Sequence, residues 1–534
     1  MALEAMLIGW DGATFALLDP LVRKGVMPHL GKALELGSRG ELLSIVPALT
    51  PPAWTSLLTG RTPGHHGIFD FFQKESASSL HLRPSHSGNI RAETLWDMAN
   101  RAGRRVTTLN YPVMFPPPPV EGYVISGGWL TLRQLRLACR PAALYDTLRG
   151  LDGLDPRELI MDLSEEERAI EGCSRQDMIE FVQKHIRRER QWAKIAFHLL
   201  DTDPTELFSV VLDGTDKIQH LCWPVLAAFV RDGTAGQEER NLLDVCLEYY
   251  REIDRILGSL LERAAEGANL VLVSDHGFGE SRDIFFVNQW LRKMGHLAWK
   301  DEQGPMAAGG KSLGMRHLSR HVTEMDWEKT RAFASTPSSN GIHLAPGCAA
   351  TLPEREREEL LEELIGGLAA LRSPTTGGPL VRRVWKRREA FPGPYGDLGP
   401  DLTLCLWDGG LVSILASEDS VQARDLPVGA HRPEGVFLGV GPAFARDTDA
   451  RGLSILDVAP TMLHLMKLAV PESLEGRVRP EVLSREFRAG RQAVDWEAPP
   501  VCNREETAQD GPELFTEEDE KEIAERLRRL GYVE

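Results

Sequence analysis

The chain has 534 residues, of which 42% are hydrophobic and 26% charged, and it carries a formal net charge of -17. That length supports one large core with a substantial second lobe, or two to three domains, in an ordinary soluble globular protein. The acidic excess argues against coating of nucleic acid, which needs a basic face, but leaves room for an anionic small substrate at a locally cationic site.

In chain order, buried-strand runs are expected at Met6 to Gly9, Leu42 to Val46, Val106 to Leu109, Phe208 to Leu212, Leu270 to Val273, Leu402 to Leu406 and Val436 to Val440. Helix-patterned stretches separate them. This alternation predicts an α/β fold with a largely parallel central sheet flanked by helices. Two regions break it and are expected to be inserted caps. One covers 72–203, with Phe115 before four prolines and a charged helical stretch from Ser164 to Leu200; part of it can return to the core sheet. The other covers 287–336 and is rich in basic residues, Gly and His. The core is then expected in three pieces, 1–71, 204–286 and 337–485, with a helix from Glu354 to Leu371 leading to the Leu402 strand. An extension follows at 486–534. There Thr516 to Asp519 reads as a helix start, Ile523, Leu527 and Leu530 share a face, and Gly531 is the stop.

The seven cysteines (Cys139, Cys173, Cys222, Cys246, Cys348, Cys405 and Cys502) stand singly, with no Cys-x-x-Cys spacing. A disulfide framework or thiolate zinc site is therefore disfavoured and a reducing compartment favoured. The first eleven residues have no basic segment before the first strand, and no membrane span is read. A cytoplasmic location is the expectation; the oligomeric state is open.

Polar residues fall directly after several strand runs, at Asp11, Asp213 to Asp216 and Asp275. Ligand-binding groups in open α/β sheets collect at the carboxyl ends of strands, so these positions can converge. Asp216 and His220 lie at i and i+4, on one face of a helix that begins after the Phe208 run, and can hold one ion. Asp275 and His276 adjoin at a strand end followed by glycines, and His431 sits just before the Val436 run. Three carboxylates and three imidazoles form an oxygen and nitrogen set that suits Zn²⁺ or Mn²⁺. Thr50 opens Thr50-Pro51-Pro52-Ala53-Trp54, where prolines stiffen the chain and a hydroxyl is placed for nucleophilic attack if something activates it. A strand-end Asp alone is more often a cap or turn former than a ligand. Other residues read mainly as structural: one of His65 and His66 caps or packs a glycine-flanked turn, Asp457 caps the helix through Leu463, and Trp129, Trp192 and Trp299 pack the caps. Asp213 is either a partner of a metal-bound imidazole or a helix cap.

The order of these motifs resembles the alkaline phosphatase superfamily. The likeness is to its type I phosphodiesterase/nucleotide pyrophosphatase branch and the related predicted phosphohydrolases and phosphomutases. It is carried by Gly9 to Thr14, Thr50 to Ile68, Asp213 to His220, Ser274 to Gly279, His431 to Gly435 and Asp457 to Leu463. The resemblance implies one divalent ion on Asp216, His220 and His431 and a second on Asp11, Asp275, His276 and the Thr50 oxygen, with Zn²⁺ first and Mn²⁺ second in preference. It implies hydrolysis of a small phosphodiester or phosphoanhydride through a covalent phospho-threonine at Thr50. The alternatives are a phosphomonoesterase or phosphomutase on the same site, and a binding protein that keeps the fold. Sulfatases have a Cys or Ser formylglycine precursor where this chain has Thr50, and an arginine where it has Trp54, so sulfate esters are disfavoured. Nucleotide pyrophosphatases place an Asn that helps hold the phosphoryl oxygen where this chain has Phe71. Arg432, which can bind phosphate bidentately, and Asn110 are the expected replacements, and His343 is a candidate substrate-side residue.

Overall fold

A nine-stranded sheet runs through the centre of the computed structural model, whose order in space is Thr448–Ser454, Ser38–Leu43, Glu434–Val440, Asn269–Val273, Ala5–Trp10, Leu207–Leu212, Val106–Leu109, Gly122–Ile125 and Cys139–Arg140. The described residues are 3–489, except 75, 77, 78, 81, 129, 131, 161–173, 234, 235, 237, 238, 265, 266 and 301–320. The expected helix at Thr516, together with Trp129, Cys173 and Cys502, lies outside them. Two strands, Glu434–Val440 and Cys139–Arg140, run against the rest, so the sheet is mostly parallel.

The Ala5–Trp10 strand occupies the middle and shows how the two faces are built. Met6, Ile8 and Trp10 enter one core, while Ala5 and Leu7 enter the other, as period-two alternation requires. Helices Phe15–Arg23, Pro28–Leu36, Arg175–Thr202, Gly214–Asp232 and Arg240–Ala264 cover the first face. Helices Thr50–Thr59, Leu95–Arg101 and Val458–Leu465 cover the second. Strands buried on both faces read as unbroken apolar runs, which is why the central ones stand out in the sequence.

A second lobe has its own core around a four-stranded sheet ordered Ala332–Phe333, Gly341–Leu344, Leu402–Leu406 and Val381–Lys386. Its pairings are antiparallel. Helices Val287–Lys293 and Glu354–Ala370 pack there. The Leu402 run is thus a strand, but it belongs to this lobe and not to the central sheet. Between the lobes, Gly277–Phe285 pairs antiparallel with Val421–Arg432. The run expected at Leu42 to Val46 also shifts: the strand is Ser38–Leu43, whose side chains alternate between buried and exposed or half-buried. Its partly solvent-facing pattern hid it behind the more apolar residues that follow.

Among the described residues no helix is long and apolar enough to cross a membrane.

Candidate functional site

The carboxyl ends of neighbouring parallel strands deliver the polar residues to one edge. Asp11 follows Ala5–Trp10, and Asp275 and His276 follow Asn269–Val273. Asp216 and His220 occupy the first turns of Gly214–Asp232, which follows Leu207–Leu212. His431 comes from inside the long Val421–Arg432 strand, opposite Phe278, and not from a loop before the next strand as its sequence context suggested. The six residues fall into two groups, Asp216 with His220 and His431, and Asp11 with Asp275 and His276, each with its ligand atoms within 4.8 Å of one another.

In the first group Asp216 Oδ1 lies 3.1 Å from His431 Nε2 and 3.4 Å from His220 Nε2, and the two imidazole nitrogens are 3.0 Å apart. His431 Nδ1 is 2.9 Å from the Ala48 carbonyl. An Nδ1–H donated there leaves Nε2 a lone pair facing the group, the tautomer that suits a metal ligand. Burial alone would raise the Asp216 carboxyl; a proton on the facing Nε2 of His220 or His431 outweighs that and pulls it well below its usual range.

In the second group His276 Nε2 is 3.5 Å from Asp11 Oδ1 and 3.4 Å from Asp275 Oδ2. His276 Nδ1 is 3.1 Å from the Gly277 carbonyl, so its Nε2 also turns inward as an acceptor. Asp11 Oδ2 takes the Trp54 indole N–H at 3.2 Å, and Asp275 Oδ1 takes the Gly12 amide at 3.2 Å. Gly12 makes that amide available by turning the chain at φ +66°. The remaining oxygens, Asp11 Oδ1 and Asp275 Oδ2, are buried and receive no N–H or O–H from any other described group. Burial first, then the neighbouring carboxylates, push Asp11 well above the ordinary carboxylate range; burial and Asp216 do the same to Asp275, against the Gly12 amide. Burial keeps His276 and His220 below the ordinary imidazole range and hence neutral. Orphaned carboxylate oxygens beside a neutral imidazole nitrogen are what a cation satisfies, so this second group fits a divalent ion; the first group, one carboxylate with two imidazoles, fits one by its donor types.

Thr50 is the first residue of the buried Thr50–Thr59 helix, whose second and third positions are prolines that need no amide partner there. Its hydroxyl lies 3.3 Å from His276 Nε2, at the helix end that favours negative charge. Thr215 and Gln219, which the sequence reading passed over, fix the Asp11 turn. The Thr215 hydroxyl donates to the Asp11 carbonyl, and Gln219 Nε2 donates to the Gly12 carbonyl at 2.8 Å. Their spacing around Asp216 on one helix was the available signal.

The expected substrate contacts are differently engaged. Arg432 follows His431 on a strand and so points to the other face; its terminal nitrogens donate to the Trp407 carbonyl at 2.7 Å and the Glu280 carbonyl at 2.6 Å. Asn110 is buried at the sheet edge, donating to the Val211 carbonyl at 2.9 Å and accepting from Arg188 at 3.2 Å. His343 lies within the second lobe, where its Nδ1 meets the Lys74 ammonium at 3.0 Å. Phe71 is buried in that lobe's core and offers no polar replacement for an asparagine. Asp213 contacts no imidazole of the site and makes no cap bond. It pairs with Arg188, with Lys217 at 3.5 Å, and accepts from Asn110 at 3.3 Å. Asp457 is structural, but through Arg479 at 2.8 Å and the Ser454 amide at 3.0 Å instead of a bond to its own helix. His66 packs the turn as expected.

A hydroxyl at a buried helix start, set against two carboxylate–imidazole groups along the carboxyl edge of a mostly parallel sheet, defines an alkaline phosphatase-like α/β protein. The family model described as type I phosphodiesterase / nucleotide pyrophosphatase matches residues 5–431, and the chain belongs to that family, which makes it a phosphoric ester hydrolase. No curated protein matches it. Among solved structures it is similar to phosphonoacetate hydrolase from Sinorhizobium meliloti 1021 in complex with phosphonoformate, at 16% identity over 88% of this chain and 96% of that one, TM-score 0.50. It is also similar to an inactive form of murine ectonucleotide pyrophosphatase / phosphodiesterase 5 in complex with AMP, at 15% identity over 90% and 100% of the two chains, TM-score 0.48. The human counterpart matches at 16% identity over 88% and 96%, TM-score 0.47.

Proposed function

We propose that this protein hydrolyses a phosphodiester or phosphoanhydride with Thr50 as the nucleophile and a divalent ion in each of the two ligand groups. The observation that carries this reading is the Thr50 hydroxyl 3.3 Å from His276 Nε2, beside the orphaned oxygens of Asp11 and Asp275. Three carboxyl groups near one hydroxyl offer a phosphate no positive charge by themselves, so the site needs cationic charge before it accepts an anionic substrate.

Thr50 Oγ1 gives its proton to solvent and attacks phosphorus, and the bond from phosphorus to the leaving oxygen breaks. That oxygen departs with the electron pair and takes a proton from solvent where it needs one, and a phospho-threonine results. Water then cleaves that ester and returns the hydroxyl. The helix start holds Oγ1 in place and its positive end favours the alkoxide. Asp11, Asp275 and His276 would hold one ion, and Asp216, His220 and His431 the other. When bound, such ions lower the hydroxyl's pKa and offset the charge that develops on the leaving oxygen. Zinc is the first expectation and manganese the second.

Purified protein supplied with Zn²⁺ or Mn²⁺ is expected to cleave a bis-aryl phosphate diester faster than the aryl monoester, and Thr50→Ala to abolish turnover with metal content nearly unchanged. Preference for the monoester, or phosphoryl transfer between sugar hydroxyls, assigns the site to a phosphomonoesterase or phosphomutase. Full activity in Thr50→Ala overturns the nucleophile assignment.

A further inference from the structure

Trp54 stands where the sulfatase-like pattern has an arginine, and the structure gives its indole a specific task. The side chain is fully buried, and its Nε1–H reaches Asp11 Oδ2 at 3.2 Å. The ring has little freedom. It packs edge-on against Tyr111 at 5.5 Å between centroids, and Tyr111 packs the same way against Trp96 at 5.0 Å. Below it, residue 9 of the central strand is a glycine; a Cβ there would stand 2.4 Å from Trp54 Cη2. The glycine thus opens the sheet surface to the indole, and the aromatic stack holds the N–H against one oxygen of Asp11.

The same restriction recurs on the other two members of the group. Asp275 has Oδ1 engaged by the Gly12 amide, and His276 has Nδ1 engaged by the Gly277 carbonyl. Each residue therefore presents one atom: Asp11 Oδ1, Asp275 Oδ2 and His276 Nε2. With the Thr50 oxygen these make four single-atom donors, the number that suits tetrahedral zinc. A carboxylate free to bind through both oxygens would raise the donor count toward the six preferred by harder, oxygen-seeking ions.

We propose that Trp54 is a positioning residue that limits Asp11 to one-oxygen coordination and thereby biases the ion beside Thr50 toward Zn²⁺ over Mn²⁺. The proposal rests on the two-ion reading above. It assigns to a tryptophan, not to any ligand, part of the site's choice of metal.

The test is competitive binding of Zn²⁺ and Mn²⁺ to chelator-stripped protein, wild type and Trp54→Phe, with bound metal read by mass spectrometry and affinities by calorimetry. Phenylalanine keeps the ring and removes the N–H. The variant is expected to bind one of its two zinc ions about 10- to 100-fold more weakly, the usual cost of losing an outer hydrogen bond to a ligand. Its Mn²⁺-to-Zn²⁺ ratio is expected to rise at that ion alone. Equal zinc affinities and an unchanged ratio in the two proteins overturn the proposal. Wild type that takes up neither ion overturns the two-ion reading itself. Should Trp54→Phe fail to fold, cobalt bound to His220→Ala, which keeps Trp54 and the Asp11 group, tests the one-oxygen limit directly: the intense visible bands of four-coordinate Co²⁺ are the expected result, and the weak bands of a six-coordinate ion refute the proposal.

Discussion

His66 shows how one buried side chain reports its own protonation. Its Nδ1 accepts the Ile68 amide at 3.1 Å, so the proton is on Nε2, which donates to Ser56 Oγ at 2.8 Å. Burial, with help from His65, lowers its pKa to about 3 from 6.5. A lowered imidazole pKa means that the stability it lends is complete above about 6.5 and drains away as pH falls toward 3. Between those limits the wild type is expected to lose stability faster than His66→Gln, by about 1.4 kcal/mol per pH unit. Parallel urea-unfolding curves for the two proteins across pH 6 to about 4 would refute this. Asp70 has the opposite sign. It is buried, accepts from Thr336 and Ser338 hydroxyls at 2.6 Å each, and burial raises its pKa to about 6 from 3.8. Its contribution is present below the unfolded value and is lost as pH rises through 6. Asp70→Asn should therefore gain on the wild type as pH rises from about 4 to 6, in the same unfolding assay.

At the scale of elements, Arg188 fastens the helix Arg175–Thr202 to the sheet edge. Its buried guanidinium donates to the Leu159 carbonyl and to Asn110 Oδ1, each at 3.2 Å, and pairs with Asp213. Removing the cation leaves a mostly buried carboxylate with Lys217 at 3.5 Å as its remaining counter-charge, so Arg188→Met is expected to cost about 3 kcal/mol, the low end for breaking a buried pair. Adding Asp213→Asn should recover part of that loss, with a coupling of about 0.5–3 kcal/mol. Strict additivity in denaturant titrations would show that the pair does not act as a unit. This staple was not legible in the sequence, since it joins residues from a helix that covers the sheet, a strand end and a helix start. What was legible follows a simple physical rule. Leu207–Leu212 and Asn269–Val273 are buried on both faces and read as apolar runs, so the polar residues after them announced the site. Val421–Arg432 has exposed and charged positions and gave no such signal, although it carries His431. Leu402–Leu406 was recognisable as a strand, but its partners are 341–344 and 381–386, and distant pairing is not written in a local pattern.

For the molecule as a whole, the two lobes differ in what an ion can do for them. Every residue of the two ligand groups comes from the central sheet's edge or from the strand pair Gly277–Phe285 and Val421–Arg432. None comes from the four-stranded sheet of the second lobe, which has a separate apolar core. An ion that binds only the folded protein stabilises it by mass action, by about 2.7 kcal/mol per site at a free concentration 100 times its Kd. Chelation should therefore lower the melting temperature and restored Zn²⁺ should raise it by several degrees. The location of the effect is the sharper expectation. Hydrogen exchange with and without Zn²⁺ should show added protection around Asp11, Asp216, Asp275 and His431, because the ion joins backbone segments that otherwise open separately. Strand Val381–Lys386, in the second lobe, should exchange at nearly the same rate in both states. Uniform protection across both lobes would mean that they unfold as one cooperative unit, and unchanged exchange at all four segments would place the ion elsewhere.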